Sequence, residues 1–290
     1  MSLLNISEVR VSYANNASLK KLTVSIPEGV TVLIGPNGIG KSTLISVAEG
    51  LTRVDHREKV KLMGFSPYNE SVNAFSEVSF LPERPVGIAG GTVRQWIKYY
   101  SLLRKISRER LRDLLSLFDI EYVIPRKWKE LSSGELQLVS VILCLSAEAK
   151  FFVMDEPNAN LDVINRMKLA GFIRKMNTEF SASFLITSHL LDEILPIADY
   201  AIIASKESLN GPITTNDGSG KDGFIVLTVA DMEYMKEALE KEFDVIVNNG
   251  QLIIRNSNLR VFLSKLDPQL LEGILSIHKF PSYLGGVLNS

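Results

Sequence analysis

The nine residues Gly35-Pro36-Asn37-Gly38-Ile39-Gly40-Lys41-Ser42-Thr43 constrain this chain more than any other stretch. They fit G-x-x-x-x-G-K-[ST], a turn that cradles phosphates when a strand precedes it and a helix follows. Both flanks are present. Val30-Thr31-Val32-Leu33-Ile34 is a continuous apolar run, expected as a buried strand, and residues 41–49 are expected as a helix that Gly50 stops. Glycine at tight-turn positions lets backbone N–H groups converge on the β- and γ-phosphates with no Cβ in the way. The helix N-terminus adds partial positive charge. Lys41 adds a full charge, and the Ser42 hydroxyl can ligate Mg²⁺.

The rest of the chain supplies the sheet around that turn. Val9-Arg10-Val11-Ser12-Tyr13 and Leu22-Thr23-Val24-Ser25-Ile26 alternate with period two, with Asn15-Asn16 as turn residues between them. Residues 84–147 change character, with helical spacing over 92–103, 108–118 and 132–147 and plausible N-caps at Thr92 and Ser107. Phe151-Phe152-Val153-Met154-Asp155 is a second continuous apolar strand. An amphipathic helix over 163–180 and strands over 183–187 and 200–204 follow. Apolar strands alternating with helices indicate a parallel sheet covered on both faces.

After residue 205 the texture shifts. Gly211-Pro212 and the polar, glycine-rich run over 216–223 punctuate the chain, so 206–223 is expected as a linker. The remainder, 224–290, reads as a strand over 224–229 and a helix over 231–242. A hairpin of 244–247 with 251–255 across Asn248-Asn249-Gly250 comes next, then a helix over 259–266 and a strand over 273–278. That βαββαβ order suggests a small ferredoxin-like α+β module.

Composition narrows the function classes. With 290 residues and 46% hydrophobic content, the chain is long enough for one large domain and a smaller one. Its 32 basic and 33 acidic residues give a net charge of -1, so no basic balance argues for nucleic-acid binding. The single cysteine, Cys144, lies in an apolar segment; it excludes a disulfide framework and fits a reducing cytosolic compartment and a structural thiol. The first ten residues show no secretory signal. No segment approaches the roughly 18 apolar residues of a membrane span, so work at a membrane needs a second chain to do the spanning.

Two further motifs carry chemistry. The strand over 151–155 ends in Asp155 and Glu156, at the edge of an open sheet where ligands sit. Asp155 can hold Mg²⁺ through water, and Glu156 is placed to polarise an attacking water as general base. Leu131-Ser132-Ser133-Gly134-Glu135 opens a long apolar helix. Ser132 with Glu135 three residues later fits a capping box. The same helix end is also an anion site, which a second protomer could bring onto a γ-phosphate.

Together these residues resemble the nucleotide-binding subunit of ATP-binding cassette (ABC) transporters. Leu131 to Glu135 resembles the family signature, and it precedes the Asp155–Glu156 strand by a short interval. Asn160-Leu161-Asp162 resembles the D-loop, Thr187-Ser188-His189 the switch histidine, and Phe80-Leu81-Pro82-Glu83 the Q-loop. Tyr13 stands where the family places an aromatic that stacks on adenine. The likeness spans about residues 3 to 205. It implies a P-loop NTPase α/β fold, with an N-terminal antiparallel β subdomain and a helical signature subdomain over about 84–147.

The resemblance also implies a mechanism. Two subunits, in a homodimer or a heterodimer with another ABC ATPase, close head-to-tail around two ATP molecules, and hydrolysis reopens them. ATP would be held by Tyr13, Gly35, Asn37, Gly38, Gly40, Lys41, Ser42 and Thr43, with Ser132 and Gly134 reaching it from the partner. Ser42, Glu83 and Asp155 would hold Mg²⁺. Catalysis would fall to Glu156, His189 and Lys41, with His189 contacting the γ-phosphate. The protein would sit on the cytoplasmic face of the membrane against a separate permease, docked through residues 83–130, where Trp96, Tyr99 and Tyr100 either line the groove that receives it or pack within the helical block. The short appended module resembles exporter-type (ABC-2) subunits more than importers with long regulatory domains. A soluble ABC ATPase acting in cytosolic assembly or regulation is the alternative. Two departures stand out: Glu83 replaces the family's Gln, and the signature carries Ser133 and Glu135 where Gly and Gln are usual. Activity is expected to survive both.

Overall fold

The computed structural model describes residues 2–11, 21–35, 38–85, 87, 90–188, 195–204, 209–215, 223–248, 250–257 and 259–280. The chain begins with β1 (Leu4–Val9), β2 (Leu22–Ile26) and β3 (Val30–Ile34), then α1 (Lys41–Ala48), β4 (Val60–Leu62), α2 (Ser71–Phe75) and β5 (Val78–Leu81). A helical block follows: α3 (Val93–Leu103), α4 (Arg108–Leu117) and α5 (Ser133–Ser146). The chain returns through β6 (Phe151–Asp155), α6 (Val163–Phe180), β7 (Ser183–Thr187), β8 (Tyr200–Ala204) and β9 (Leu209–Thr214). It ends with β10 (Gly223–Val229), α7 (Met232–Leu239), β11 (Val245–Asn248), β12 (Gln251–Ser257), α8 (Leu259–Lys265) and β13 (Ile274–Phe280).

Six strands form the central sheet in the order β5-β6-β7-β3-β8-β9. The first five run parallel, and β9 closes the edge antiparallel to β8. Every residue of β3, β6 and β7 is buried. That is why these strands read as unbroken apolar runs: helices cover both faces of a parallel sheet. The rings of Phe152 and Phe184 stack with centroids 5.1 Å apart across neighbouring strands.

A second, antiparallel sheet of order β2-β1-β4 lies at the N-terminal side. A strand is expected over 9–13; β1 starts earlier, at Leu4, and has Val9 as its last residue, while Ser12 and Tyr13 lie outside the described residues. Leu4 and Ile6 point inward; Glu8 then takes a positive φ of 52°, and the register slips between Ile6 and Val9. The strand resumes after that bulge, with Val9 paired to Leu22, and Val11 makes an isolated bridge to Val54. The turn residues Asn15 and Asn16 lie outside the described residues. Strands β4 and β5, three and four residues long, were too short to stand out as runs.

The expected linker also needs correction. Residues 209–214 are β9, hydrogen-bonded to β8 as the last strand of the central sheet. The Gly211-Pro212 pair that read as a break sits inside it. Proline lacks an N–H for the ladder, so it is tolerated on an edge strand, which is where β9 lies.

The helical block forms as its caps dictate. Thr92 and Gln95 make a reciprocal capping box at α3, and Ser107 accepts from the Arg110 N–H at α4. In the C-terminal module all four strands pair antiparallel in the order β11-β12-β10-β13. Read from β13, the module's strands lie fourth, first, third, second, the ferredoxin-like arrangement. Met235 and Leu239 of α7 and Phe262 and Leu263 of α8 bury against Ile225, Leu227, Leu252 and Ile254. Beside β9 runs β13, and α8 rests near Leu195–Ile197, so the module leans on the main sheet.

Candidate active site

The site is built where β3 gives way to α1. Gly35 ends the strand against β8, where an added Cβ would come within 2.9 Å of the Ala204 carbonyl oxygen. Gly38 and Gly40 take positive φ of 77° and 110°, the left-handed turn that brings the chain round into α1. Gly40 caps the helix without a side chain, and no acidic residue stands in the first turn. This helix end therefore presents its positive potential to a ligand. Its first residue, Lys41, is buried, with Nζ donating to the Gly35 carbonyl at 2.6 Å. Burial pushes the Lys41 pKa below the ordinary lysine value, against the opposing pull of Glu156, Asp155 and Glu83.

Two strands away, β6 ends in the carboxylate pair. Asp155 is 4% exposed. Thr187, at the end of β7, donates its hydroxyl to Asp155 Oδ1 at 2.5 Å and accepts the Glu156 backbone N–H at 2.8 Å. Glu156 adopts a positive φ of 49°, a conformation that non-glycine residues rarely take and that clusters at functional sites. From α5, the Gln137 amide donates to the carbonyls of Pro157 at 3.1 Å and Glu156 at 3.3 Å, pinning the turn from behind.

These elements enclose a cavity of about 600 Å³. Gly38, Gly40, Lys41, Ser42, Thr43, Glu83, Asp155 and Glu156 line it, all of them expected site residues. Arg84, Pro85, Ala159 and Asn160 complete the wall, and of these only Asn160 carried a sequence signal, as the first residue of the D-loop motif. Thr187 was read only as the prelude to His189; nothing in a linear motif announces a side-chain bond that spans 32 residues. Among the described residues no three His, Cys, Asp or Glu side chains converge as a metal cage. Mg²⁺ does not require one: it keeps several waters and takes one or two carboxylates plus substrate phosphates. The hard oxygens of Ser42, Glu83 and Asp155, on the wall of one cavity, fit that requirement.

Ser132 and Gly134 do not line this cavity. They open α5, where Ser132 and Glu135 form a reciprocal capping box. An added Cβ on Gly134 would approach the Asn160 carbonyl to 3.0 Å, so the turn that opens α5 lies against the Asn160 segment of its own chain. Tyr13, Asn37 and His189 lie outside the described residues.

The aromatic trio of the helical block is not an exposed cluster. The Trp96 ring stacks on Tyr99 at 5.5 Å and meets Trp128 edge-on at 6.1 Å, and both Trp96 and Tyr100 are half-buried against the core. Burial pushes the Tyr100 hydroxyl up to about 12. Only Tyr99 is exposed; Leu102 and Leu103, one turn on, form the open apolar surface instead. Alternating aromatics on an amphipathic helix are satisfied as well by core packing as by a partner. Cys144 is buried beside the Ser79 hydroxyl at 3.3 Å, and burial raises its thiol to about 12, as suits a structural residue. Among the described residues no helix is long and apolar enough to cross a membrane.

Comparison with known proteins points the same way as the geometry. Residues 19–159 match the ABC transporter family. The zinc import ATP-binding protein ZnuC of Wolbachia sp. subsp. Brugia malayi (strain TRS) is 26% identical over 209 residues, which are 69% of this chain and 79% of that protein. The iron(3+)-hydroxamate import ATP-binding protein FhuC of Bacillus subtilis (strain 168) is 26% identical over 216 residues, 71% of this chain and 80% of its own. Among solved structures, an ATP-binding subunit of an ABC transporter superposes with a TM-score of 0.65 at 21% identity, covering 74% of this chain and 91% of that one. A dimeric bacterial ABC transporter cassette superposes at 0.63 and 18% identity, covering 71% of this chain and 96% of that one.

Proposed function

Because the chain carries an ABC transporter ATP-binding domain, we propose that this protein is the ATP-hydrolysing subunit of a transporter whose membrane-spanning permease is a separate chain. One observation carries the reading: Lys41, Asp155 and Glu156 converge on a single cavity at the N-terminus of α1. A phosphate cradle alone would suit any P-loop protein. A cradle beside an acid pair, with a signature helix elsewhere on the surface, suits two-copy hydrolysis.

In this reading the backbone of the Gly35–Thr43 turn and the Lys41 ammonium hold the β- and γ-phosphates, and Tyr13 stacks on adenine. Ser42, Asp155 and Glu83 would hold Mg²⁺, which when bound neutralises phosphate charge. Glu156 accepts a proton from the water that attacks the γ-phosphorus, while His189 orients that water. The bond to the bridging oxygen breaks, and ADP and phosphate leave. Ser132 and Gly134 of a second copy close over the γ-phosphate from the other side, so binding shuts the dimer and hydrolysis opens it. The fixed tilt of Glu156 at positive φ supports its role as base, since strain persists where surroundings hold it.

The protein would act on the cytoplasmic face of a membrane, held there by its permease. Cargo choice would belong to that permease, because the cavity here is shaped and charged for a nucleotide. The named relatives are import proteins, which lends no support to an exporter-type assignment drawn from the short module. The test is direct. The Glu156→Gln variant with ATP and magnesium is expected to accumulate a nucleotide-loaded dimer on size-exclusion chromatography with light scattering. A strictly monomeric, empty variant would overturn the reading.

A further inference from the structure

Glu135 places a carboxylate in the first turn of α5, the helix end that in the reading above closes on the partner's ATP. A helix N-terminus carries only about half a positive charge. A free carboxylate there outweighs it and would turn an anion-attracting surface into a repelling one. The structure shows how the charge is managed. Arg126 Nη1 donates to Glu135 Oε1 at 2.7 Å, and the Tyr122 hydroxyl donates to the same oxygen at 3.0 Å. The other carboxylate oxygen accepts the Ser132 backbone N–H at 2.7 Å, while Ser132 Oγ accepts the Glu135 N–H at 3.2 Å. The Glu135 side chain is 15% exposed, folded back into its cap. Arg126 is itself fixed at both ends: its guanidinium also reaches the Glu130 carbonyl, and its own carbonyl accepts the Val93 N–H at 3.0 Å.

We propose that Arg126 is a positioning residue for nucleotide-driven dimer closure, which neutralises Glu135 and holds it in the cap so that the Ser132 end of α5 stays attractive to the partner-bound γ-phosphate. The inference rests on the reading of α5 as the surface that meets a second copy's ATP. It explains how this chain works with Glu where the family has Gln: an amide needs no counter-charge, and a carboxylate does. Arg126 touches no substrate; it acts through Glu135 and Ser132.

The experiment measures the ATP concentration that gives half-maximal dimer in a Glu156→Gln background. Adding Arg126→Ala is expected to raise that concentration about tenfold, the scale of one lost charge-assisted contact. Arg126→Lys, which keeps the charge, is expected to stay close to the parent. The decisive variant combines Arg126→Ala with Glu135→Gln. With the charge to be neutralised gone, it is expected to return to within about twofold of the parent, a rescue that a merely structural role for Arg126 cannot give. Binding of a fluorescent ATP analogue to dilute monomer is expected to be the same in all four proteins, because each cradle is intact. A parent that dimerises while Arg126→Ala shows an unchanged ATP requirement, or a double variant no better than Arg126→Ala alone, overturns this inference and leaves the dimer reading standing. A parent that never dimerises overturns both.

Discussion

The Thr187 hydroxyl ties the two carboxylate residues of the site together: it donates to Asp155 Oδ1 at 2.5 Å and accepts the Glu156 N–H at 2.8 Å. One side chain on β7 thus sets the orientation of Asp155 and the backbone from which Glu156 projects. Replacing it by valine keeps the shape and leaves a buried carboxylate oxygen and a backbone donor without that partner. Thr187→Val is expected to lower unfolding stability by about 1–3 kcal/mol, the usual cost of an unsatisfied buried polar group. Hydrolysis is expected to fall further than ATP affinity does if Glu156 acts in the chemical step, as proposed above. Thr187→Ser keeps the hydroxyl and is expected to recover most of both. Urea unfolding and steady-state ATPase kinetics on the three proteins check this.

Lys41 is held at a cost. Its charge is buried beneath the cavity, and burial pushes its pKa down while three carboxylates oppose the shift. Lys41→Met is therefore expected to leave the nucleotide-free protein at least as stable as the parent, since a desolvated charge is removed. ATP affinity is expected to drop by about 10- to 150-fold, the worth of one hydrogen bond to a charged group. The pH dependence has a definite sign. Between the lowered folded value and the unfolded value of about 10.4, the unfolded chain binds more protons, so this residue makes stability rise with pH. That increment should be absent from the Lys41→Met curve and should appear as the difference when it is subtracted from the parent's pH–stability curve.

Cys144 gives a readout of core integrity. Its thiol is buried and raised to about 12. At pH 8 the folded protein is expected to resist maleimide and to react fully once denatured, because the thiolate is the reactive form. The stability contribution is full below the unfolded thiol value of about 8.5 and is lost as pH climbs toward the folded one. Cys144→Ala is expected to abolish that alkaline decline.

How much of this was legible follows from where the information lies. Strands β3, β6 and β7 were read correctly because burial on both faces writes an unbroken apolar run into the chain. Their carboxyl ends carried the phosphate turn and the acid pair as contiguous motifs. The caps of α3, α4 and α5 were visible for the same local reason. What failed was short or non-local. The start of β1 at Leu4 carried no motif, β5 had only four residues, and Pro212 looked like a break although an edge strand accepts it. For Trp96 and Tyr100 both a docking groove and core packing stayed open, because helical spacing shows which residues share a face and not what covers it; both are half-buried against the core. The bonds from Thr187 to Asp155 and from Arg126 to Glu135 pair residues that no single motif contains.

Glu83, on the cavity wall where the resemblance leads one to expect Gln, offers a sharp test of the proposed site. It lines the same cavity as Lys41, Asp155 and Glu156, and its charge is among those that raise the Lys41 pKa. A glutamine there removes a negative charge from the wall of the cavity proposed to hold the triphosphate. Without divalent metal, Glu83→Gln is expected to bind ATP about three- to tenfold more tightly, because a like-charge repulsion of a few ångströms' range is gone. With metal the sign reverses for a different quantity. If Glu83 is one of the oxygen donors to Mg²⁺, as proposed above, half-maximal ATPase activity is expected to need more Mg²⁺ than in the parent. Both effects can be read on one protein, by ATP titration in EDTA and by ATPase assays across a magnesium series. Tighter metal-free binding together with an unchanged magnesium requirement would place Glu83 beside the phosphates but not on the metal. No change in either would remove it from the site.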